Sequence, residues 1–149
     1  MKQALLFLAA LICFLTACHT PRQSTAVSKK VVANPAELNG AWQLNYIGGA
    51  KIAFEELYPG KKPQIVFDVT GSRISGNTGC NNFSGPVTIE GSKISFSQSL
   101  ALTKMFCPDE GEMVFLETLK KVNLWAVTDT STLNLIMGDI AMMRFTKLK

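Results

Sequence analysis

Apolar and polar residues alternate in short runs along most of the chain, which is the period of a half-buried β-strand. The first run, residues 41–47, predicts that Trp42, Leu44 and Tyr46 share one face of a strand. Turn residues, mostly glycine, aspartate and serine, separate further runs of this kind. The other strands predicted in this way cover residues 64–69, 73–75, 86–89, 93–97, 124–128, 132–137 and 140–146. This rhythm is typical of an antiparallel sheet that curls into a small barrel, because closure removes exposed edges.

One segment, residues 109–121, follows the helical period instead. Asp109 is placed to cap this helix and Glu112 to complete a capping box, while Lys120 and Lys121 suit the negative end of the helix dipole. Either Leu116 or Phe115, each with Leu119 and Val122, would form its apolar face. A shorter helical turn is predicted in residues 52–58. The fold class is therefore mainly β with one principal helix, and its single core is predicted to contain Trp42, Phe67, Phe96, Leu116 and Phe145.

The first 17 residues have the pattern of a secretory signal peptide. The charge of Lys2 precedes an apolar run, residues 4–17, that is too short to span a bilayer. The run ends in Leu15-Thr16-Ala17-Cys18, which resembles the bacterial lipobox, in which the cysteine is acylated and the chain is cut just before it. We therefore predict a signal peptide at residues 1–17 and lipidation of Cys18. An ordinary signal peptide followed by an incidental cysteine is the alternative.

The rest of the chain divides into a short tether and one domain. Residues 18–35 are small and polar without a structural period, which predicts a flexible, lipidated tether, and residues 36–149 suffice for one compact domain. The expected location is the bacterial cell envelope, lipid-anchored, with the periplasmic face of the outer membrane favoured. Basic residues are scattered without interleaved aromatic residues, so nucleic acid is not a predicted partner.

Cysteine and histidine positions limit the chemistry of the domain. Cys80 and Cys107 are the only cysteines after Cys18, and in an exported chain they form a natural disulfide pair; two buried thiols that merely pack are the alternative. The sole histidine is His19, far from the domain in sequence, so neither a Cys–His dyad nor a Ser–His–Asp triad is expected. Two cysteines without a domain histidine also fall short of a closed zinc site.

No catalytic, cofactor-binding or metal-binding residue is therefore predicted, and the protein is not expected to be an enzyme or to need a cofactor. A pair of carboxylates for hydrolysis is the chemistry that the sequence leaves open, although the acids in question are by default ordinary surface groups. These acids are Glu55, Glu56, Asp68, Glu90 and Asp109.

The stretch from Gly79 to Gly85 is the most distinctive in the domain. Its glycines and asparagines favour a tight corner between strands, with Phe83 turned inward. The alternative is a polar recognition loop, since binding residues are often carried on loops of a rigid scaffold. The candidate binding residues of this loop are Asn77, Asn81, Asn82 and Ser84.

Three motifs together resemble the META domain family, which includes the HslJ-like bacterial envelope lipoproteins. They are Leu-Asn-Gly-Ala-Trp at residues 38–42, Cys-Asn-Asn-Phe-Ser-Gly at 80–85 and Thr-Lys-Met-Phe-Cys-Pro at 103–108. The resemblance covers residues 38–145 and implies a small, barrel-like (lipocalin-like) β fold with one helix and no catalytic residues. It implies links with heat shock, envelope stress and antibiotic tolerance, and it places cysteines at the positions of Cys80 and Cys107. Phe106 departs from the family pattern, in which a smaller residue is commoner.

Two functional hypotheses follow. In the first, the protein is a monomeric, non-enzymatic module, held to the membrane through Cys18, that binds an envelope protein, a peptide or a lipid. In the second, the barrel carries a small apolar ligand, as lipocalin-like folds can. The interior of the barrel discriminates between them, because a ligand carrier requires an empty, lined cavity.

Overall fold

The computed structural model describes residues 33–149 and is mainly β. The predicted signal peptide (residues 1–17), Cys18, His19 and the tether up to residue 32 lie outside the described residues. Its nine strands are β1 (Gly40–Ile47), β2 (Gln64–Asp68), β3 (Arg73–Asn77), β4 (Asn82–Glu90), β5 (Lys93–Phe96), β6 (Ala101–Leu102), β7 (Leu124–Thr128), β8 (Thr132–Met137) and β9 (Ile140–Lys147). Two α-helices, α1 (Phe54–Leu57) and α2 (Gly111–Lys121), and a 3₁₀ turn at Pro35–Leu38 complete the domain.

The strands close into an eight-stranded antiparallel barrel. Their order is β3-β2-β1-β9-β8-β7-β5-β4, and a β3–β4 pairing joins the two ends of the sheet. This confirms the predicted fold class, with α2 as its principal helix. The ninth strand, β6, pairs with the beginning of β4, at Phe83 and Ser84. It lies on the same edge of β4 as β5, beyond the point at which β5 ends.

A bulge in β1 overturns one detail of the predicted pattern. The β1–β9 register shifts between Leu44 and Tyr46, so the alternation of buried and exposed side chains moves by one residue. Trp42 and Leu44 are buried as predicted, but Tyr46 is 42% exposed and Ile47 takes the inward position.

Side chains fill the inside of the barrel. Trp42, Phe67, Phe96 and Phe145 are buried in one cluster, as predicted. The prediction for Leu116 is wrong: it is only partly buried, and Phe115 occupies the core position on α2. The remaining buried apolar residues are Leu38, Leu44, Ile47, Leu57, Tyr58, Ile65, Ile74, Phe83, Val87, Ile94, Leu119, Val122, Trp125, Leu133, Leu135 and Met143.

Element boundaries differ from the predicted ones at two places that matter for the site. Helix α2 begins at Gly111, and its N-cap residue, Glu110, makes no side-chain capping bond, so the predicted capping box is wrong. Strand β4 begins at Asn82 instead of residue 86, which narrows the corner between β3 and β4 to residues 78–81. Asn34 caps the first 3₁₀ turn by accepting a hydrogen bond from the Ala36 amide.

Within residues 33–149, no helix has both the length and the apolar character that crossing a membrane requires.

Candidate functional site: a braced corner beside an exposed apolar tip

The disulfide Cys80–Cys107 joins the corner between β3 and β4 to the segment that precedes α2. The two Cα atoms are 6.0 Å apart, and the cysteines are separated by 27 positions in sequence. The predicted pairing is therefore confirmed, and the alternative of two packed thiols is wrong. We call residues 78–81, residues 103–107 and Glu112 together the braced corner.

The buried side chain of Asn81, which is 2% exposed, connects the parts of the braced corner. Its Oδ1 accepts hydrogen bonds of 2.8 Å from both the Met105 amide and the Thr103 hydroxyl. Its Nδ2 donates to the Met105 carbonyl at 3.1 Å and to Glu112 Oε1 at 3.2 Å. The same nitrogen lies 3.1 Å from Cys107 Sγ. Every polar atom of this side chain is thus engaged within the protein, so its first role is to fix the corner.

Glu112 binds the corner instead of capping its own helix. Its Oε2 accepts a hydrogen bond from the Thr78 hydroxyl at 2.6 Å and another from the Asn81 amide at 3.2 Å. A carboxylate accepts stronger hydrogen bonds than a neutral oxygen does, so these two bonds are stronger than bonds between neutral groups. They explain physically why the capping box does not form: the carboxylate that would have reached back along α2 is used by the neighbouring corner.

Tyr58 supports the same region from the side of α1. Its hydroxyl donates to the Gly111 carbonyl at 3.0 Å. Burial raises the pKa of the Tyr58 phenol above its ordinary value. Glycine is required at the corner because Gly79 has a φ of +97°, and an added Cβ there would lie 2.9 Å from Cδ1 of Tyr58.

The four candidate binding residues from the sequence differ in their surroundings. Asn77 is 6% exposed and its Oδ1 accepts from the Gly79 amide at 3.1 Å. Asn81 is buried in the network above, Ser84 is half-buried, and the side chain of Asn82 is exposed. A binding role for these residues remains a prediction. Among the four, Asn82 offers its side chain most directly to a partner.

The two most conspicuous residues of this surface were not among the predicted binding residues. Phe106 is 90% exposed and Met105 is 59% exposed, both next to the disulfide. We call these two residues the apolar tip. One sequence feature pointed to this position: Phe106 departs from the family pattern, in which a smaller residue is commoner. That departure suggested a change in packing, but the Phe106 side chain is exposed and packs against very little.

The chemistry available at the braced corner is limited by the disulfide. The two cysteine sulfurs and a Glu112 carboxylate oxygen lie within 4.8 Å of one another, a spacing that would suit a metal ion if the cysteines were reduced. In the disulfide, neither sulfur is a thiolate, and the thiolate is the form that binds metals or attacks substrates. The oxidised corner therefore offers a shaped surface and no thiolate.

Surface hollows border this region, and two of them lie beside α2. One, of about 170 Å³, is bordered by Tyr58, Lys61, the disulfide and Asp109. A larger groove, of about 420 Å³, runs between residues 48–52 and α2, with Leu57, Val114 and Met142 as apolar lining. Both are open at the surface.

These features define a class: a small closed antiparallel barrel, packed with its own side chains, with one principal helix and a disulfide-braced corner. The sequence profile of the META domain matches residues 36–149, and the chain belongs to the META domain family. A search of curated proteins returned no match.

Two solved structures share the fold. An NMR structure of a protein from Burkholderia xenovorans has a TM-score of 0.59 and 22% identity, over 79% of this chain and 90% of that one. A crystal structure of a DUF4847 family protein from Bacteroides vulgatus has a TM-score of 0.52 and 13% identity, over 75% of this chain and 96% of that one. At these identities the likeness concerns the fold alone.

Proposed function

We propose that this protein is a lipid-anchored, non-enzymatic module of the bacterial cell envelope that binds a partner through the braced corner. The observation that carries the proposal is Phe106, a large apolar side chain that is 90% exposed on a segment held by a disulfide and by Asn81. Exposed aromatic residues on ordered surfaces are frequent anchors of protein interfaces.

The bracing favours binding because it reduces the entropy that association costs. Ordering a flexible segment on binding opposes association, and a segment that is already fixed avoids much of this cost. Cys107 and the Asn81 contacts to Met105 fix the backbone on both sides of the apolar tip. A partner would then gain the burial of Phe106 without first having to order the loop.

The lipid anchor rests on the sequence Leu15-Thr16-Ala17-Cys18. Three acyl chains on Cys18 would hold the chain far more firmly than one, since each buried methylene contributes roughly 0.8 kcal/mol. We expect intact-mass analysis to find a mature chain that begins with acylated Cys18, and a Cys18→Ala chain to leave the membrane fraction. A mature protein that begins elsewhere and is soluble would overturn the anchor.

The non-enzymatic role is supported by the chemistry of the described residues. Residues 33–149 contain no histidine, and both of their cysteines are in the disulfide. The ligand-carrier alternative gains no support, because aromatic and aliphatic side chains occupy the interior that a carrier would leave empty. We also propose a wider role in tolerance of envelope stress or antibiotics, and membership of the META domain family supports this role.

Site-specific photo-crosslinking in living cells tests the partner-binding surface. Benzoylphenylalanine replaces Phe106 in one strain and Ile140 in the other; Ile140 is a matched control because it is apolar, 61% exposed and the first residue of β9. We expect a discrete crosslinked product from position 106 only. Identical products from both positions, or none from position 106 with or without envelope stress, would contradict the proposal.

Complementation of a deletion strain tests the biological role. We expect Ile140→Ser to restore stress tolerance and Phe106→Ser to fail, with both proteins at normal abundance in the membrane. Equal rescue by both variants would show that the apolar tip is not the functional surface.

A further inference from the structure

Strand β6 is the free edge of the sheet. It pairs with β4 on one side, and among residues 33–149 no strand pairs with its other side. Free strand edges with unpaired backbone groups can accept another strand, and proteins usually protect them for this reason. This edge leads directly into the apolar tip, so a strand that paired with the edge would lie beside exposed apolar side chains.

Alternate residues along this edge direct their backbone groups toward β4 and the corner. The Thr103 amide donates to the Asn82 carbonyl at 3.0 Å, and the Met105 amide donates to Asn81 Oδ1 at 2.8 Å. Leu102 lies opposite Phe83, between positions that bond to β4, so its N–H and C=O groups point outward. Lys104 lies two residues past the end of β6, and because the amides of Thr103 and Met105 on either side of it turn inward, we expect its own N–H and C=O groups to point outward as well. Two outward donor–acceptor pairs would then lie two residues apart, the spacing that a neighbouring strand requires.

The side chains along the edge indicate what such a strand would carry. Leu102 is 38% exposed, Met105 59% and Phe106 90%, so an incoming strand would meet apolar surface. Lys104 is exposed between them and would attract a carboxylate. The edge is also held in place, because Asn81 and the disulfide fix the segment that follows β6.

We propose that residues 102–106 form a strand-addition site for an extended segment of another protein, with apolar side chains and an acidic residue opposite Lys104. The proposal rests on the partner-binding function above and specifies how that partner is held. Backbone hydrogen bonds to Leu102 and Lys104 provide the register, and Phe106 provides an apolar anchor. Lys104 disfavours a second copy of this chain on the same edge, because a lysine on an edge strand opposes edge-to-edge pairing.

A proline substitution at Lys104 tests the backbone part of this site. Lys104→Pro removes the outward N–H, and proline is tolerated on edge strands where that group faces solvent. Lys104→Ala is the matched control, because it removes the same charge and retains the N–H. The probe is the tightest 12-residue peptide selected by display from a random library on the full chain in detergent.

We expect Lys104→Ala to weaken binding of the selected peptide by at most about fivefold, as for loss of an exposed ion pair. Lys104→Pro should weaken it at least about tenfold further, as for loss of a backbone hydrogen bond. In the unmodified chain, which needs no variant to fold, hydrogen exchange followed by NMR should show new protection at the Leu102 and Lys104 amides when peptide is added.

Several outcomes would overturn strand addition. They are failure of the selection to yield a binder, equal binding to the alanine and proline variants, or protection confined to the groove beside α2.

Protection that rises with protein concentration alone would assign the edge to a second copy. Sedimentation with phosphatidylethanolamine–phosphatidylglycerol vesicles that is lost in Phe106→Ser but retained in Lys104→Pro would assign the segment to lipid. Crosslinking through position 106 does not need the Lys104 N–H, so it separates failure of this mode from failure of the proposed function.

Discussion

At the scale of single residues, Asn81 shows how one polar side chain can define a surface. It is buried and forms bonds to residues on two other segments, so the shape of the corner depends on its amide group. Its neighbour Asn82 is exposed, although both residues carry the same side chain. The two positions therefore form a natural pair for comparison.

Asn81→Ala should lower the free energy of unfolding by about 2–4 kcal/mol, because it leaves the Met105 amide and the Thr103 hydroxyl without their partner. Asn82→Ala should change it by less than about 0.5 kcal/mol, as expected for an exposed side chain. Urea unfolding followed by tryptophan fluorescence measures both. Similar losses for the two variants would contradict the role assigned to Asn81.

Tyr58 provides a prediction that depends on pH. Tyr58→Phe removes the hydrogen bond to the Gly111 carbonyl and should cost about 1 kcal/mol at pH 7. The raised pKa in the folded state means that the unfolded chain loses the phenolic proton first. The unmodified protein should therefore lose stability as pH rises above about 10, at up to about 1.4 kcal/mol per pH unit from this group.

The phenylalanine variant lacks this loss, so the stability difference between the two proteins should shrink above about pH 10 and then change sign. Denaturant unfolding at pH 7, 9, 10 and 11 measures the difference. Tyr46→Phe is the control, since it makes the same chemical change at a position that is 42% exposed. A constant difference across this range would refute the account.

The burial of individual core residues was largely predictable from the sequence, and its exceptions have physical causes. Alternation placed Trp42 and Leu44 inside correctly. It misplaced Tyr46 because the bulge arises from pairing with β9, about 100 positions later in the chain. The role of Asn81 could not be predicted from the sequence either, because its partners lie on segments that only the fold brings together.

At the scale of elements, the beginning of α2 is set by its contact with α1. An added Cβ on Gly111 would lie 2.5 Å from the Leu57 carbonyl oxygen and 2.7 Å from the Tyr58 ring. The glycine is therefore a packing requirement where the helix approaches backbone. The loss of helix propensity that glycine brings is outweighed by this close approach.

Gly111→Ala tests which effect is larger. Helix propensity alone would stabilise the variant by up to about 1 kcal/mol, but the contact with backbone should make it less stable by about 1–3 kcal/mol. Gly60→Ala is the control, because no atom lies within 4 Å of its added Cβ. Thermal unfolding of both variants measures the effect, and a more stable Gly111→Ala protein would contradict the packing argument.

The regular elements were predictable to within a few residues. A two-residue strand and a helix boundary that depends on contacts distant in sequence were not. The hairpin strands β7, β8 and β9 match their predicted bounds to within one residue because turn residues delimit them. Strand β6 was missed because it has two residues and exists only through pairing with β4. The beginning of α2 was placed two residues early because Glu112 bonds to the corner, a contact with no local signal.

At the scale of the whole molecule, the disulfide links two parts of the barrel that are distant in sequence. The 27-position separation corresponds to about 3.5 kcal/mol of unfolded-chain entropy on the simple loop-closure argument. A Cys80→Ser, Cys107→Ser double variant should therefore have a free energy of unfolding lower by about 2–4 kcal/mol. Urea unfolding with and without reductant measures this, and reductant should have no effect on the double variant.

The same double variant separates a structural disulfide from thiol chemistry in the cell. If it folds and reaches normal abundance, we expect it to restore stress tolerance in the deletion strain, because the proposed function needs the corner and no reactive sulfur. Cys18→Ala, which should fail to remain at the membrane, should not restore it. Loss of rescue by a well-folded double variant would point to redox chemistry and contradict the non-enzymatic proposal.

The pairing of β1 with β9 has a consequence for the order in which this chain acquires its structure. These strands are adjacent in the barrel although they come from opposite ends of the domain, and the Leu148 amide bonds to the Ala41 carbonyl. A ribosome or a translocation pore releases the chain from its N-terminal end, so β1 must wait for nearly the whole domain before its neighbour arrives. Until then both β1 and β8 present open edges that favour association with other chains. Completion of the ring thus waits for β9, and a chain that ends before β9 would be a substrate for chaperones and proteases.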